Sequence, residues 1–74
     1  MRKVSENMVA IYRKHYPAGK RLRLEMMDDP QAPPLGTVGT VIGVDDACQI
    51  MMKWDNGSSL SLIPGVDGFT EVQA

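Results

Sequence analysis

Two adjacent acidic pairs, Asp28-Asp29 and Asp45-Asp46, the lone His15 and the lone Cys48 are the side chains of this 74-residue chain best equipped for chemistry. Acidic pairs that meet can hold a hard cation such as Ca²⁺ or Mg²⁺ through oxygen ligands. They can attract a basic peptide or divide general acid and base roles. Each pair also lies in a stretch that reads as a turn, where Asp oxygens accept from nearby backbone N–H groups, and this capping role competes with the others. EF-hand spacing is absent. His15 has no Cys or His at ligand spacing and reads as a packing residue at a helix end. Cys48 sits among acids that raise rather than lower a thiol pKa, which argues against a reactive thiolate. No Ser-His-Asp order, phosphate-binding loop or dinucleotide fingerprint occurs. The expectation is a protein that is not an enzyme and carries no metal or cofactor.

Two binding surfaces compete with one another. In the first, Asp28, Asp29, Asp45 and Asp46 converge at one end of the fold beside Trp54, which forms a partly exposed aromatic floor for a peptide. Alternatively, Trp54 packs in the core against Leu22, Leu24 and Leu62. The second surface is basic. From Met1 to Leu24 the chain holds seven basic residues (Arg2, Lys3, Arg13, Lys14, Lys20, Arg21, Arg23) and one acid, Glu6; the remainder holds one basic residue, Lys53, and eight acids. Arg13, Lys14, Lys20, Arg21 and Arg23 could therefore contact phosphates. However, only Tyr12 and Tyr16 stand near them as stacking groups, and the overall pI of about 5.6 is acidic, against the usual signature of a nucleic-acid binder. The competing expectation is that the two halves neutralise each other across the fold.

These side chains need elements to hold them. Residues 5–15 read as a helix, with Ser5 as N-cap, Glu6 in the first turn, basic residues in the last, and Val4, Met8, Ile11, Tyr12 and His15 as an apolar stripe. Pro17 then ends it. Residues 20–26 alternate, with Leu22, Leu24 and Met26 facing one way and Arg21, Arg23 and Glu25 the other, as in a half-buried strand. Pro30, Pro33 and Pro34 make residues 27–36 a stiff loop. Residues 39–44 read as a second strand with a bulge or bend at Gly43, and residues 49–54 as a third. Asn56-Gly57 predicts a type I′ hairpin turn with positive φ at both residues, leading to a fourth strand over residues 59–62 and a fifth over 69–72. Short antiparallel strands, a long first loop, two tight hairpins and a helical turn before the last strand match a five-stranded SH3-like β-barrel carrying an N-terminal α-helix. The helix is assigned to residues 1–15 and the barrel to residues 16–74, within one domain. No apolar run approaches the roughly 18 residues needed to span a bilayer. The N-terminus leads into no secretory apolar stretch, so with a single cysteine a reducing cytoplasm is the expected home.

The motifs Tyr16-Pro17-Ala18-Gly19, Met27-Asp28-Asp29-Pro30, Pro33-Pro34-x-Gly36-Thr37, Gly43-Val44-Asp45-Asp46-Ala47, Trp54-Asp55-Asn56-Gly57-Ser58-Ser59-Leu60 and Ile63-Pro64-Gly65-Val66-Asp67 occur in order. Together they closely resemble the family of small bacterial, phage and conjugative-element proteins known as DUF4314, a domain of unknown function. The resemblance implies an SH3-like fold and no activity. It also implies a glycine where this chain has Cys48, so a turn needing positive φ would be strained here. The expected role is a non-enzymatic protein-interaction module of a bacterium or mobile element. A nucleic-acid-binding accessory protein is the alternative, followed by a structural homo-oligomer formed through Met8, Ile11 and Tyr12.

Overall fold

The computed structural model describes residues 3–73; Arg2, expected in the basic surface, lies outside them. A helix, α1 (Glu6–His15), precedes four strands, β1 (Arg21–Met26), β2 (Val38–Val44), β3 (Ile50–Trp54) and β4 (Gly68–Glu71). Ser5 caps α1 as expected: its hydroxyl accepts the Met8 N–H at 3.1 Å. At the other end the Tyr16 N–H closes on the Tyr12 carbonyl at 2.8 Å, and Pro17 stops the helix.

The strands form one open antiparallel sheet in the order β3-β2-β1-β4. The β2–β3 register shifts between Val41 and Gly43, so Ile42 is the extra residue of a bulge. The bulge lets Val41 and Val44, three positions apart, both reach the core, where they are 1% and 5% exposed. Leu22, Leu24, Ile50, Met52, Trp54, Leu62, Cys48 and Val9 complete that core. Gly39 sits opposite Trp54 because a Cβ there would stand 2.7 Å from the indole ring; only glycine lets the ring lie flat on β2.

The closed five-stranded barrel is not formed. Residues 58–62 return along the free edge of β3 with a hairpin register, since the Trp54 N–H donates to the Ser58 carbonyl at 2.9 Å and Ile50 and Leu62 exchange two bonds of 2.8 Å. Between those contacts the Leu60 carbonyl accepts the Trp54 indole N–H at 2.8 Å, and the Leu60 N–H turns to the Ser58 hydroxyl. The indole thus claims the acceptor that would extend the ladder beside Met52, and the expected fourth strand is reduced to a single bridge.

The turn before it also differs from expectation. The Gly57 N–H bonds the Trp54 carbonyl at 2.9 Å, and only Gly57 of the Asn-Gly pair has positive φ, at 93°. This is a three-residue loop whose last residue is left-handed, not a two-residue type I′ turn. The loop between β2 and β3 repeats the device: the Cys48 N–H bonds the Asp45 carbonyl, the Asp45 N–H bonds the Gln49 carbonyl, both at 3.0 Å, and Cys48 has φ 58°.

The helix packs on the core through Val9, with Met8, Tyr12 and Tyr16 beside it. Ile11, expected on the docking stripe, is 55% exposed, and Val4 is also turned outward. The buried stripe runs one position further round the helix than the pattern Val4-Met8-Ile11-His15 implies, because Val9 is the residue that meets the sheet.

Candidate interaction surfaces

The two acidic pairs do not converge. β1 and β2 run antiparallel, so the loop after β1, holding Asp28 and Asp29, and the loop after β2, holding Asp45 and Asp46, leave opposite ends of the sheet. Both pairs do turn chemistry. The Asp29 carboxylate accepts the Gln31 N–H at 2.7 Å. The Asp45 carboxylate accepts the N–H groups of Ala47 and Gln49 at 3.0 and 2.8 Å. Asp67, unremarked in the sequence, does the same for the Ile63 N–H at 2.8 Å. Among the described residues no group of three or more His, Cys, Asp or Glu side chains is placed to hold a metal ion. Trp54 is 1% exposed, so its ring is core and offers no floor to a peptide.

The basic residues are largely spent within the fold. Arg13 donates from Nε to the Val44 carbonyl and from Nη2 to Asp46 Oδ1, each at 3.0 Å. Lys20 reaches Glu71 Oε1 at 2.6 Å and the His15 carbonyl at 2.8 Å, with its ammonium 5.4 Å from the Tyr16 ring centre. Arg21 grips Asp55 with both ends of its guanidinium, at 2.8 and 2.7 Å, and bonds Thr40 Oγ1 at 3.0 Å. That fork holds the Asp55 carboxyl below the usual carboxylate range and raises the Arg21 guanidinium. The three ion pairs seen among the described residues all join the basic first third of the chain to the acidic remainder. Lys14 and Arg23 are exposed, whereas Arg13, Lys20 and Arg21 are tied to carboxylates of the fold.

Tyr12 stacks on Tyr16 with ring centres 5.8 Å apart, and Tyr16 meets Phe69 edge-on at 5.7 Å. Burial, then the charge of Glu71, pushes the Tyr16 phenol above its ordinary value. Open hollows lie on the helix side. One of about 550 Å³ is lined by Val4, Ser5, Glu6, Val9, Arg13 and Asp46; one of about 300 Å³ lies among Ile11, Tyr12, His15 and Tyr16.

One end of the sheet is different. Met26 ends β1 with Gly68 opposite it. The Gly36 N–H bonds the Leu24 carbonyl at 2.7 Å, which brings Leu35 to the same end of β1. Val66 lies in the turn that leads into β4. These three apolar side chains are 57%, 65% and 57% exposed. Asp28 and Asp29 follow Met26 directly, and both are exposed. Sequence patterning assigned Met26 to the inward face with Leu22 and Leu24. It missed this surface because the register shift between Leu24 and Met26 carries Met26 out of that alternation.

A family model described as a domain of unknown function, DUF4314, matches residues 5–72, from the cap of α1 to just past β4. The chain belongs to that family. The match takes in every element of the fold, including both hairpin loops and the Met26–Leu35–Val66 end. No curated protein and no solved structure matches the chain. No helix among the described residues is long and apolar enough to cross a membrane.

Proposed function

We propose that this DUF4314 protein is a non-enzymatic protein-interaction module that meets its partner at the Met26–Leu35–Val66 end of the sheet. One observation carries the reading: three large apolar side chains are left more than half exposed at one end of a small fold. Large apolar side chains left exposed at one end of a fold are typical of protein contact sites. Phosphate binding is the weaker reading, because Arg13, Lys20 and Arg21 are held by the protein's own carboxylates. Assembly through Met8, Ile11 and Tyr12 is weaker too, because Met8 and Tyr12 already pack against the core. An SH3-like ancestry is part of the proposal. It is supported by the return of residues 58–62 along β3 and by the long loop after β1. A cytoplasmic setting in a bacterium or on a mobile element belongs to the same reading and rests on the motif resemblance and the single cysteine.

The test is capture from a native bacterial lysate by the tagged full chain, with and without the pair Leu35→Ser and Val66→Ser. The expected result is a specific partner retained by the wild type and lost by the variant at equal folded fraction. Retention by both, or a partner released by nuclease treatment, would contradict the proposal.

A further inference from the structure

The end of the sheet that exposes Met26, Leu35 and Val66 carries more acids than bases: exposed Arg23 lies on β1 before it, and Asp28 and Asp29 follow Met26 directly. From Glu25 onward the sequence contains a single basic residue, Lys53. Lys53 pairs with Thr40, one residue before the end of β3. The loop that supplies Leu35 therefore carries Asp28 and Asp29 with no Lys, Arg or His of its own. The other carboxylates nearby are engaged: Glu25 accepts the Thr70 hydroxyl at 2.9 Å, Asp55 holds Arg21, and Asp67 caps Ile63. The Asp29 carboxylate is shared with the Gln31 N–H. Asp28 projects from an exposed position immediately after Met26 and Met27.

The opposite end shows what this chain does with an acidic turn that is to be closed internally. There Arg13 of α1 reaches Asp46, and Val9 covers the core alongside. One element thus supplies a cation for the turn and an apolar side chain for the core. The end at Asp28 has exposed apolar groups and an acidic turn but, among the described residues, no such element.

Resting on the interaction reading above, we propose that the partner of this end is a basic protein segment that interleaves Lys or Arg with large apolar side chains. It would do at Asp28 and Leu35 what α1 does at Asp46 and Val44. Apolar contact with Met26, Leu35 and Val66 supplies the affinity. Asp28 and Asp29 select the sign of the partner and speed its approach.

The experiment measures fluorescence anisotropy of three short labelled peptides against the full chain: alternating Lys and Leu, alternating Glu and Leu, and alternating Lys and Ser. The Lys–Leu peptide is expected to bind at least about tenfold more tightly than the other two. Leu35→Ser should weaken it several-fold. Asp28→Asn should weaken it less and flatten its salt dependence, with thermal melts showing both variants folded. Equal binding of the Glu–Leu peptide would overturn the charge selection while leaving the interaction reading intact. Lys–Leu binding indifferent to Leu35→Ser, or no binding of any probe, would overturn this partner class, the interaction reading then standing or falling on the lysate capture. Concentration-dependent self-association in sedimentation, abolished by Leu35→Ser, would make the occupant a second copy and overturn the proposal as well.

Discussion

The two hairpin loops flanking β3 share a backbone plan and end in opposite surroundings. In each, a turn closes with an i to i+3 bond and the last loop residue is left-handed: Cys48 at φ 58° in the first and Gly57 at φ 93° in the second. Gly57 faces open space, with no atom within 4 Å of where a Cβ would sit. Cys48 is fully buried, its sulfur 3.9 Å from the Met8 carbonyl of α1. A left-handed conformation costs a residue with a Cβ about 1–2 kcal/mol. At Cys48 that cost is offset by burial of the thiol under the helix. The difference teaches where the molecule is closed. At the Cys48 end, α1 covers the core and neutralises Asp46. At the Gly57 end Met26, Leu35 and Val66 are more than half exposed among the described residues, and that is the end proposed above as the partner surface.

The comparison breaks most sharply at Val9. Val9→Asp buries a carboxylate between α1 and the sheet and should cost about 3 kcal/mol or more. A denaturant melt showing the wild-type midpoint would mean that the closed end is not closed. Gly57→Val places a β-branched residue at φ 93°; with no clash to relieve, the loss should be backbone strain alone, about 1–3 kcal/mol. A smaller effect sharpens the Cys48 side. At an ordinary buried position glycine is worse than alanine, but here glycine relieves the left-handed strain that alanine keeps. Cys48→Gly should therefore be at least as stable as Cys48→Ala, against a usual deficit of about 0.5–1 kcal/mol. A clear advantage for Cys48→Ala would deny the strain.

The Arg21–Asp55 fork gives a pH dependence with a definite sign. The folded Asp55 carboxyl is held below its ordinary value. Its contribution is thus present above the usual carboxylate pKa and is lost as pH falls through the lowered one. Asp55→Asn should flatten part of the acid limb of a stability–pH profile by lowering stability modestly at neutral pH, and should change little in acid, where the wild-type carboxyl is itself protonated. Because the pair is solvated, added salt should shrink the difference. Smallest of all, Leu35→Ser should shift stability by no more than about 0.5 kcal/mol, since that side chain serves the surface and not the fold.

Much of this was legible in the chain. Ser5, Pro17 and the alternation of Leu22 and Leu24 mark the helix and the first strand through strictly local rules, and Gly43 marks the bulge. The excess of basic residues before Glu25 and acids after it anticipates the three ion pairs, because a small fold brings its halves together. What was not legible depends on contacts distant in sequence. Trp54 takes the Leu60 carbonyl and so unmakes a strand that Ser59 to Leu62 otherwise favour. The antiparallel pairing of β1 and β2 sends the two acidic pairs to opposite ends, which no spacing within either loop reveals. Val9 rather than Ile11 faces the sheet, and Arg13, one turn further along the same helix face, reaches Val44 and Asp46. The open end emerged only from the shifted register at Met26, where alternation alone predicted an inward side chain.

The central claim is that the Met26–Leu35–Val66 end is a partner surface and the outward helix face is not. Its most direct test is photo-crosslinking in living cells with a benzophenone side chain placed at position 35 and, separately, at the exposed helix position 10. The account predicts a discrete heavier adduct from position 35 and none from position 10. Adducts from position 10 alone, or the same adduct from both, would contradict it.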